Sequence, residues 1–164
     1  MTFDALEALY REVDADAASV AAHHTARLQC QRGCHDCCVD GLTVFALEAE
    51  HLVARHPSVF ASEPGPAGGC ALLDDEGACR VYADRPYVCR TQGLPLRWED
   101  DGAEYRDICP LNEPGPDLVE LPTAQCFTLG PFEGRLAELQ RQHGDGRMDR
   151  VPLRDLFRGS KPWP

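Results

Sequence analysis

Four cysteines crowd into one short, glycine-containing segment, and this cluster constrains the chain more than any other feature. Cys30, Cys34, Cys37 and Cys38 fall within nine residues. Zinc binds cysteines two to four residues apart, and iron–sulfur clusters use runs of similar spacing. We therefore expect these four residues to be metal ligands. Because adjacent thiols rarely point at one tetrahedral ion, either Cys37 or Cys38 serves a second metal, bridges two metals or stays free.

Disulfide bonds explain the cysteines less well than a metal does. The chain of 164 residues has nine of them, and an odd number leaves one thiol unpaired. The N-terminus has no basic segment followed by an apolar run, so a secretion signal is not predicted and a cytoplasmic location is expected. In that reducing compartment, cysteines are more often metal ligands or catalytic groups than disulfides.

The charge of the chain limits the partners that it is expected to bind. The formal net charge is −11, which disfavours nucleic acid and anionic membrane surfaces. No segment approaches the roughly 18 apolar residues of a membrane span. A metal ion is the expected partner, and a protein partner stays open.

A second group of cysteines lies at the ends of two predicted hairpins. Short strands are predicted at Cys70–Leu73 and Cys79–Tyr82, and again at Leu94–Trp98 and Tyr105–Ile108, with Asp/Gly-rich turns between them. Such ends are common platforms for ligands, although Cys70 and Cys79 also fit a simple cross-strand pair. The additional candidate ligands are Cys70, Cys79, Cys89 and Cys109. Eight thiolates fit two four-cysteine sites or one cluster with spare thiols.

Apolar periodicity predicts helices at 2–28, 44–56 and 131–142. The expected fold is a small, irregular, cysteine-rich α+β single domain, with terminal helices and two short hairpins around a metal site.

Several residues near the cysteines have two interpretations. Arg85 and Arg90 flank Cys89, where they either offset thiolate charge or tie down the turn. Asp40 and Glu48 either hydrogen-bond to the metal ligands from outside the coordination shell or are exposed to solvent. Among the other residues, Cys126 is expected in the core, and His35 and His51 are expected at the surface.

The chain resembles the CxxCxxCC (YkgJ-like) family of zinc- or iron-chelating domains. The matching segments are Cys30–Cys38, Leu47–Glu50, Cys70–Tyr82, Arg85–Thr91, Gly93–Leu96 and Cys109–Asn112. The resemblance implies a metal-chelating core at about 30–112 of one domain spanning 1–164, followed by a C-terminal helical extension at 113–164. It implies chelation of zinc or iron and names no reaction. The alternative is an iron–sulfur redox or group-transfer enzyme that acts on another protein.

Overall fold

The computed structural model describes residues 3–158, and these residues form two compact units. The first unit takes in the described residues up to Cys30 together with Tyr87–Ala137. The second unit consists of Gln31–Pro86 and the described residues from Glu138 onward. Residue 2, with which the predicted first helix starts, lies outside the described residues.

Helix α1, Asp4–Ala22, supplies much of the core of the first unit. Its apolar residues recur every three or four positions, so one face is buried; the members of that face are Leu6, Leu9, Tyr10, Val13 and Val20. The helix ends before residue 28 because the chain turns at His24, whose carbonyl accepts the N–H groups of Arg27 and Leu28. A short helix, α4 (Tyr87–Arg90), contacts α1.

A three-stranded sheet completes the first unit. Strands β2 (Leu96–Asp100) and β3 (Ala103–Asp107) are antiparallel, and β4 (Phe127–Thr128) pairs with β2 in parallel. Asp101 and Gly102 both have positive φ, as a two-residue hairpin turn with the right twist requires. The predicted second hairpin is therefore confirmed.

The second unit contains a two-stranded antiparallel sheet. Strand β1 (Thr43–Phe45) pairs with β5 (Arg150–Pro152), and β1 leads directly into α2 (Ala46–Arg55). The short helix α3, Pro57–Phe60, follows α2. Val44, Leu52 and Val151 belong to the apolar core of this unit.

One more α-helix and five 3₁₀ helices complete the secondary structure of residues 3–158. Helix α5 runs over Gly130–His143, close to the predicted 131–142. The 3₁₀ helices are Tyr82–Asp84, Pro110–Asn112, Leu118–Glu120, Thr123–Gln125 and Leu153–Arg158. No helix within the described residues is long and apolar enough to cross a membrane.

The α+β class with helices towards both ends is confirmed, but the predicted first hairpin is wrong. Residues 70–73 form a turn in which the Leu73 N–H donates to the Cys70 carbonyl, and a single antiparallel bridge joins Leu73 to Cys79. The Asp74 side chain accepts the N–H groups of Glu76 and Ala78, which closes the intervening turn. The turn chemistry was predicted correctly, whereas its flanking residues do not extend into strands.

Candidate metal centre

All nine cysteines lie within the described residues, and none of them forms a disulfide bond. Cysteines outside disulfides remain able to bind a thiophilic metal. The first unit contains Cys30, Cys89, Cys109 and Cys126, and the second contains Cys34, Cys37, Cys38, Cys70 and Cys79.

The segment that carries Cys34, Cys37 and Cys38 consists of successive tight turns. The Cys34 N–H donates to the Gln31 carbonyl at 3.0 Å, and the Cys38 N–H donates to the His35 carbonyl at 2.8 Å. Gly33 adopts a φ of +87°, a conformation that favours glycine. These turns present three thiols over five residues without any regular secondary structure.

The Cys37 thiol has a lowered pKa. A hydrogen bond from the Cys38 side chain lowers the pKa of Cys37 to about 6, against the opposing effect of burial. The backbone N–H of Cys37 and the charge of His35 lower it further. Because the thiolate is the form that binds metals, Cys37 is ready to ligate at neutral pH.

Cys70 belongs to the apolar core of the second unit, and Cys79 packs against that core. The Cys70 N–H donates to the Cys38 carbonyl at 2.9 Å, which ties the turn at Cys70 to the cysteine loop. Burial raises the pKa of both Cys70 and Cys79. Backbone N–H groups of Leu72 and Val81 act in the opposite direction on Cys70 and Cys79, respectively, by donating to the sulfurs. Such N–H donors stabilise negative charge on sulfur, as a metal-bound thiolate requires.

Cys30, in the first unit, is exposed and is contacted by a buried amide. The Asn112 Nδ2 atom lies 3.4 Å from the Cys30 sulfur and donates to the Gly93 carbonyl at 2.8 Å. This arrangement was not predicted from the sequence. Its only signal was that Gly93 and Asn112 lie in the segments resembling the family.

The other three cysteines of the first unit differ in burial. Cys89 in α4 and Cys109 just before a 3₁₀ helix are half-buried. Cys126 is buried, as expected, and its sulfur lies 3.8 Å from the Arg106 guanidinium. Burial raises the pKa of Cys126, which is consistent with a core thiol.

The described residues do not gather these thiols into a finished coordination shell. Within residues 3–158, no group of three or more His, Cys, Asp or Glu side chains is arranged to hold a metal ion. The donor chemistry of these residues fits zinc or iron. The ligand set therefore stays a prediction.

The charged residues near the cysteines are largely structural. Arg85 donates to the Tyr82 carbonyl at 3.0 Å, and its charge also counteracts the effect of burial on the pKa of Cys79. Arg90 is buried, forms an ion pair with Asp14 at 2.5 Å and lies over the Tyr10 ring. Arg85 therefore both ties down the turn and offsets negative charge at Cys79. The contacts of Arg90, in contrast, anchor α4 to α1.

The two carboxylates considered as supports for the ligands have other partners. Asp40 pairs with Arg154 at 3.0 Å and accepts the Gly41 and Gly68 N–H groups. Glu48 accepts the Phe45 N–H at 3.2 Å and so caps α2. Both carboxylates hold the backbone of the second unit.

The two histidines expected at the surface have different outcomes. His35 is exposed, as predicted, and contacts the Gly33 carbonyl at 2.8 Å. His51 is fully buried in α2, so the prediction for it was wrong. The reason is position: His51 lies next to Leu52 and close to Leu47 on the buried side of the helix.

An acidic cleft of about 1090 Å³ lies beside the cysteine loop in the second unit. Cys38 is one of its lining residues, and its acidic lining residues are Asp36, Glu63, Asp74, Asp75 and Glu76. Carboxylates around a cleft raise the local concentration of cations. The cleft therefore favours the approach of a metal cation to Cys38.

Comparison with known proteins decides the family. The model of the CxxCxxCC family, described as "Putative zinc- or iron-chelating domain", matches residues 29–110, which is half of the chain. The chain belongs to the CxxCxxCC family. The match contains every candidate ligand, from Cys30 to Cys109, and leaves Cys126 outside. Comparison with the curated proteins and with the solved structures gave no match.

Proposed function

We propose that this member of the CxxCxxCC family binds zinc or iron through its cysteine thiolates and serves as a metal-binding module. One observation carries the proposal: eight of the nine cysteines lie inside residues 29–110, the segment matched to a metal-chelating family. The proposed ligands are Cys30, Cys34, Cys37, Cys38, Cys70, Cys79, Cys89 and Cys109.

The surroundings of individual sulfurs support the proposal. A thiol must lose its proton to ligate, and the pKa of Cys37, about 6, meets that requirement at neutral pH. Cys70 is buried and Cys79 is half-buried, and because burial raises the pKa of both, their ionisation needs a compensating positive charge. A bound metal ion supplies that charge and would cross-link loops that regular secondary structure does not hold.

The identity of the metal is the finer part of the proposal. Zinc and iron–sulfur clusters both accept all-thiolate shells, and the spacing of Cys30, Cys34 and Cys37 fits either. Eight thiolates are enough for two four-cysteine sites. Absorbance separates the two, because a zinc site is colourless and an iron–sulfur cluster is coloured.

The test is the metal content of protein purified anaerobically and without chelators. Elemental analysis should find stoichiometric zinc in a colourless protein, or iron with a broad absorption band at about 400 nm. Protein that contains neither zinc nor iron under these conditions would contradict the proposal.

A further inference from the structure

Asn112, a buried residue of the first unit, is held by hydrogen bonds that do not involve the Cys30 sulfur. The Arg27 Nε donates to the Asn112 carbonyl at 2.7 Å, and the Asn112 N–H donates to the Cys109 carbonyl at 2.8 Å. The Asn112 side chain has no exposed surface. Its backbone position is therefore fixed independently of Cys30.

The neighbours of the carboxamide also fix its orientation. Oδ1 accepts the Gln29 N–H at 2.7 Å, and Nδ2 donates to the Gly93 carbonyl at 2.8 Å. An N–H group only donates and a carbonyl only accepts, so the amide cannot be flipped without losing both bonds. The second N–H of Nδ2 is left for the Cys30 sulfur, 3.4 Å away.

Gly93 leaves the space that the sulfur occupies. A Cβ atom at position 93 would lie 2.5 Å from the Cys30 sulfur and 3.3 Å from Asn112 Nδ2. Gly93 also has a φ of +92°, which disfavours any other residue. The close approach of sulfur and amide thus depends on a glycine that the backbone conformation independently requires.

We propose that Asn112 is a positioning residue that holds the Cys30 sulfur and stabilises it as a negatively charged metal ligand. The proposal rests on the proposed function, because it takes Cys30 to be a ligand. A hydrogen bond to an ionised acceptor is about twice as strong as one between neutral groups. The Asn112 N–H therefore contributes most when the sulfur carries the charge of a thiolate.

The main test replaces the amide by a carboxylate of the same shape. In Asn112→Asp, the oxygen that faces Gly93 and Cys30 can no longer donate, and its charge repels a thiolate. Gln140→Glu is a matched control, because Gln140 is equally buried, accepts the Leu47 N–H and donates to the Arg147 carbonyl. Both variants and the wild type are titrated anaerobically with Co²⁺, which gives thiolate-to-cobalt charge-transfer absorption.

We expect Asn112→Asp to bind Co²⁺ about 10- to 100-fold more weakly, the usual effect of removing a hydrogen-bond partner of a ligand. At saturating Co²⁺, its charge-transfer band should also move to longer wavelength, because a sulfur without its N–H donor gives up electrons more readily. Gln140→Glu should change neither property. Affinity within threefold of the wild type, or weaker binding with an unmoved band, overturns the proposal.

Nuclear magnetic resonance of the wild type and Cys30→Ser tests the contact without altering Asn112. We expect Cys30→Ser to shift the Asn112 side-chain amide resonances and to leave those of Gln140 in place; unmoved Asn112 resonances overturn the proposal. Wild-type protein that takes up neither Co²⁺, zinc nor iron contradicts the proposed function instead. The amide resonances then still decide whether Asn112 holds the sulfur.

Discussion

The two units support their thiols in different ways. In the first unit a side chain does so, because the Asn112 carboxamide lies 3.4 Å from the Cys30 sulfur. In the second unit, backbone N–H groups of Leu72 and Val81 donate to Cys70 and Cys79, and the only side-chain donor described there is the neighbouring thiol of Cys38, which donates to Cys37. A substitution can delete a side-chain donor, whereas a backbone donor persists for as long as the chain keeps its path.

The units also use arginines differently to hold their irregular loops. Arg27 in the first unit is buried and donates to the carbonyls of Asn112, Glu113 and Pro116. Arg154 in the second unit is partly exposed and combines three carbonyls with the Asp40 carboxylate. A planar guanidinium has several N–H donors, so one arginine can hydrogen-bond to several loop carbonyls at once. In a sheet, hydrogen bonds between strands would hold such carbonyls.

The largest expected effect is loss of metal from the cysteine loop of the second unit. The double variant Cys34→Ser/Cys37→Ser should lose bound metal, because serine oxygen is a poor substitute for thiolate. Cys126→Ser, in the first unit and outside the family match, should keep it. Elemental analysis after anaerobic purification compares the two; full occupancy in the double variant would remove both residues from the ligand set.

The next effect is a wide separation of thiol ionisation within the second unit. In protein stripped of metal, Cys37 should ionise with a midpoint near pH 6, so that its thiolate predominates above that pH. Cys70 and Cys79 should stay protonated to a higher pH than an ordinary thiol, because burial raises their pKa. Alkylation rates followed by mass spectrometry against pH measure each midpoint. Similar midpoints for Cys37 and Cys70 would show that the Cys38 hydrogen bond does not govern Cys37.

Replacing the loop-holding arginines should affect the first unit more than the second. Arg27→Lys removes the buried guanidinium that donates to three loop carbonyls. We expect it to lower the free energy of unfolding by about 2–4 kcal/mol. Arg154→Lys should lower it less, because water reaches that side chain. Urea denaturation measures both, with the exposed Arg141→Lys as a control expected to stay within about 0.5 kcal/mol of the wild type. Equal losses for Arg27→Lys and Arg141→Lys would contradict the role given to Arg27.

The smallest effect concerns packing alone. In protein stripped of metal, Cys70→Ser should lower the free energy of unfolding by about 1–2 kcal/mol, because it buries a hydroxyl in the apolar core. Cys30→Ser should lower it by about 0.5 kcal/mol or less, because Cys30 is exposed. Denaturation of both variants in the presence of a chelator makes the comparison, and the reverse order of stability would overturn it.

The sequence correctly predicted elements whose structure depends mainly on residues close together in the chain. The spacing of Leu6, Leu9 and Val13 predicted the buried face of α1, and Asp101-Gly102 marked a true hairpin turn. The predicted strands at 70–73 and 79–82 failed because a bond from Leu73 N–H to the Cys70 carbonyl turns the chain there. A local apolar run does not reveal such a competing turn.

Pairings between distant residues could not be predicted from the sequence. Strand β1 pairs with β5 more than a hundred residues later, and neither strand has more than three residues. The surroundings of Cys30 combine Gln29, Gly93 and Asn112, which only the folded chain brings together. The resemblance to the family, in contrast, could be found from the sequence, because its motifs are short runs of neighbouring residues.

X-ray absorption at the edge of the native metal, on anaerobically purified protein, tests most directly whether cysteine thiolates hold the metal. We predict a first shell of sulfur alone, at about 2.3 Å for zinc. The absorption edge itself should fall in Cys34→Ser/Cys37→Ser, because that variant loses metal, and the sulfur shell should stay unchanged in Cys126→Ser. A first shell made only of nitrogen and oxygen would contradict thiolate ligation.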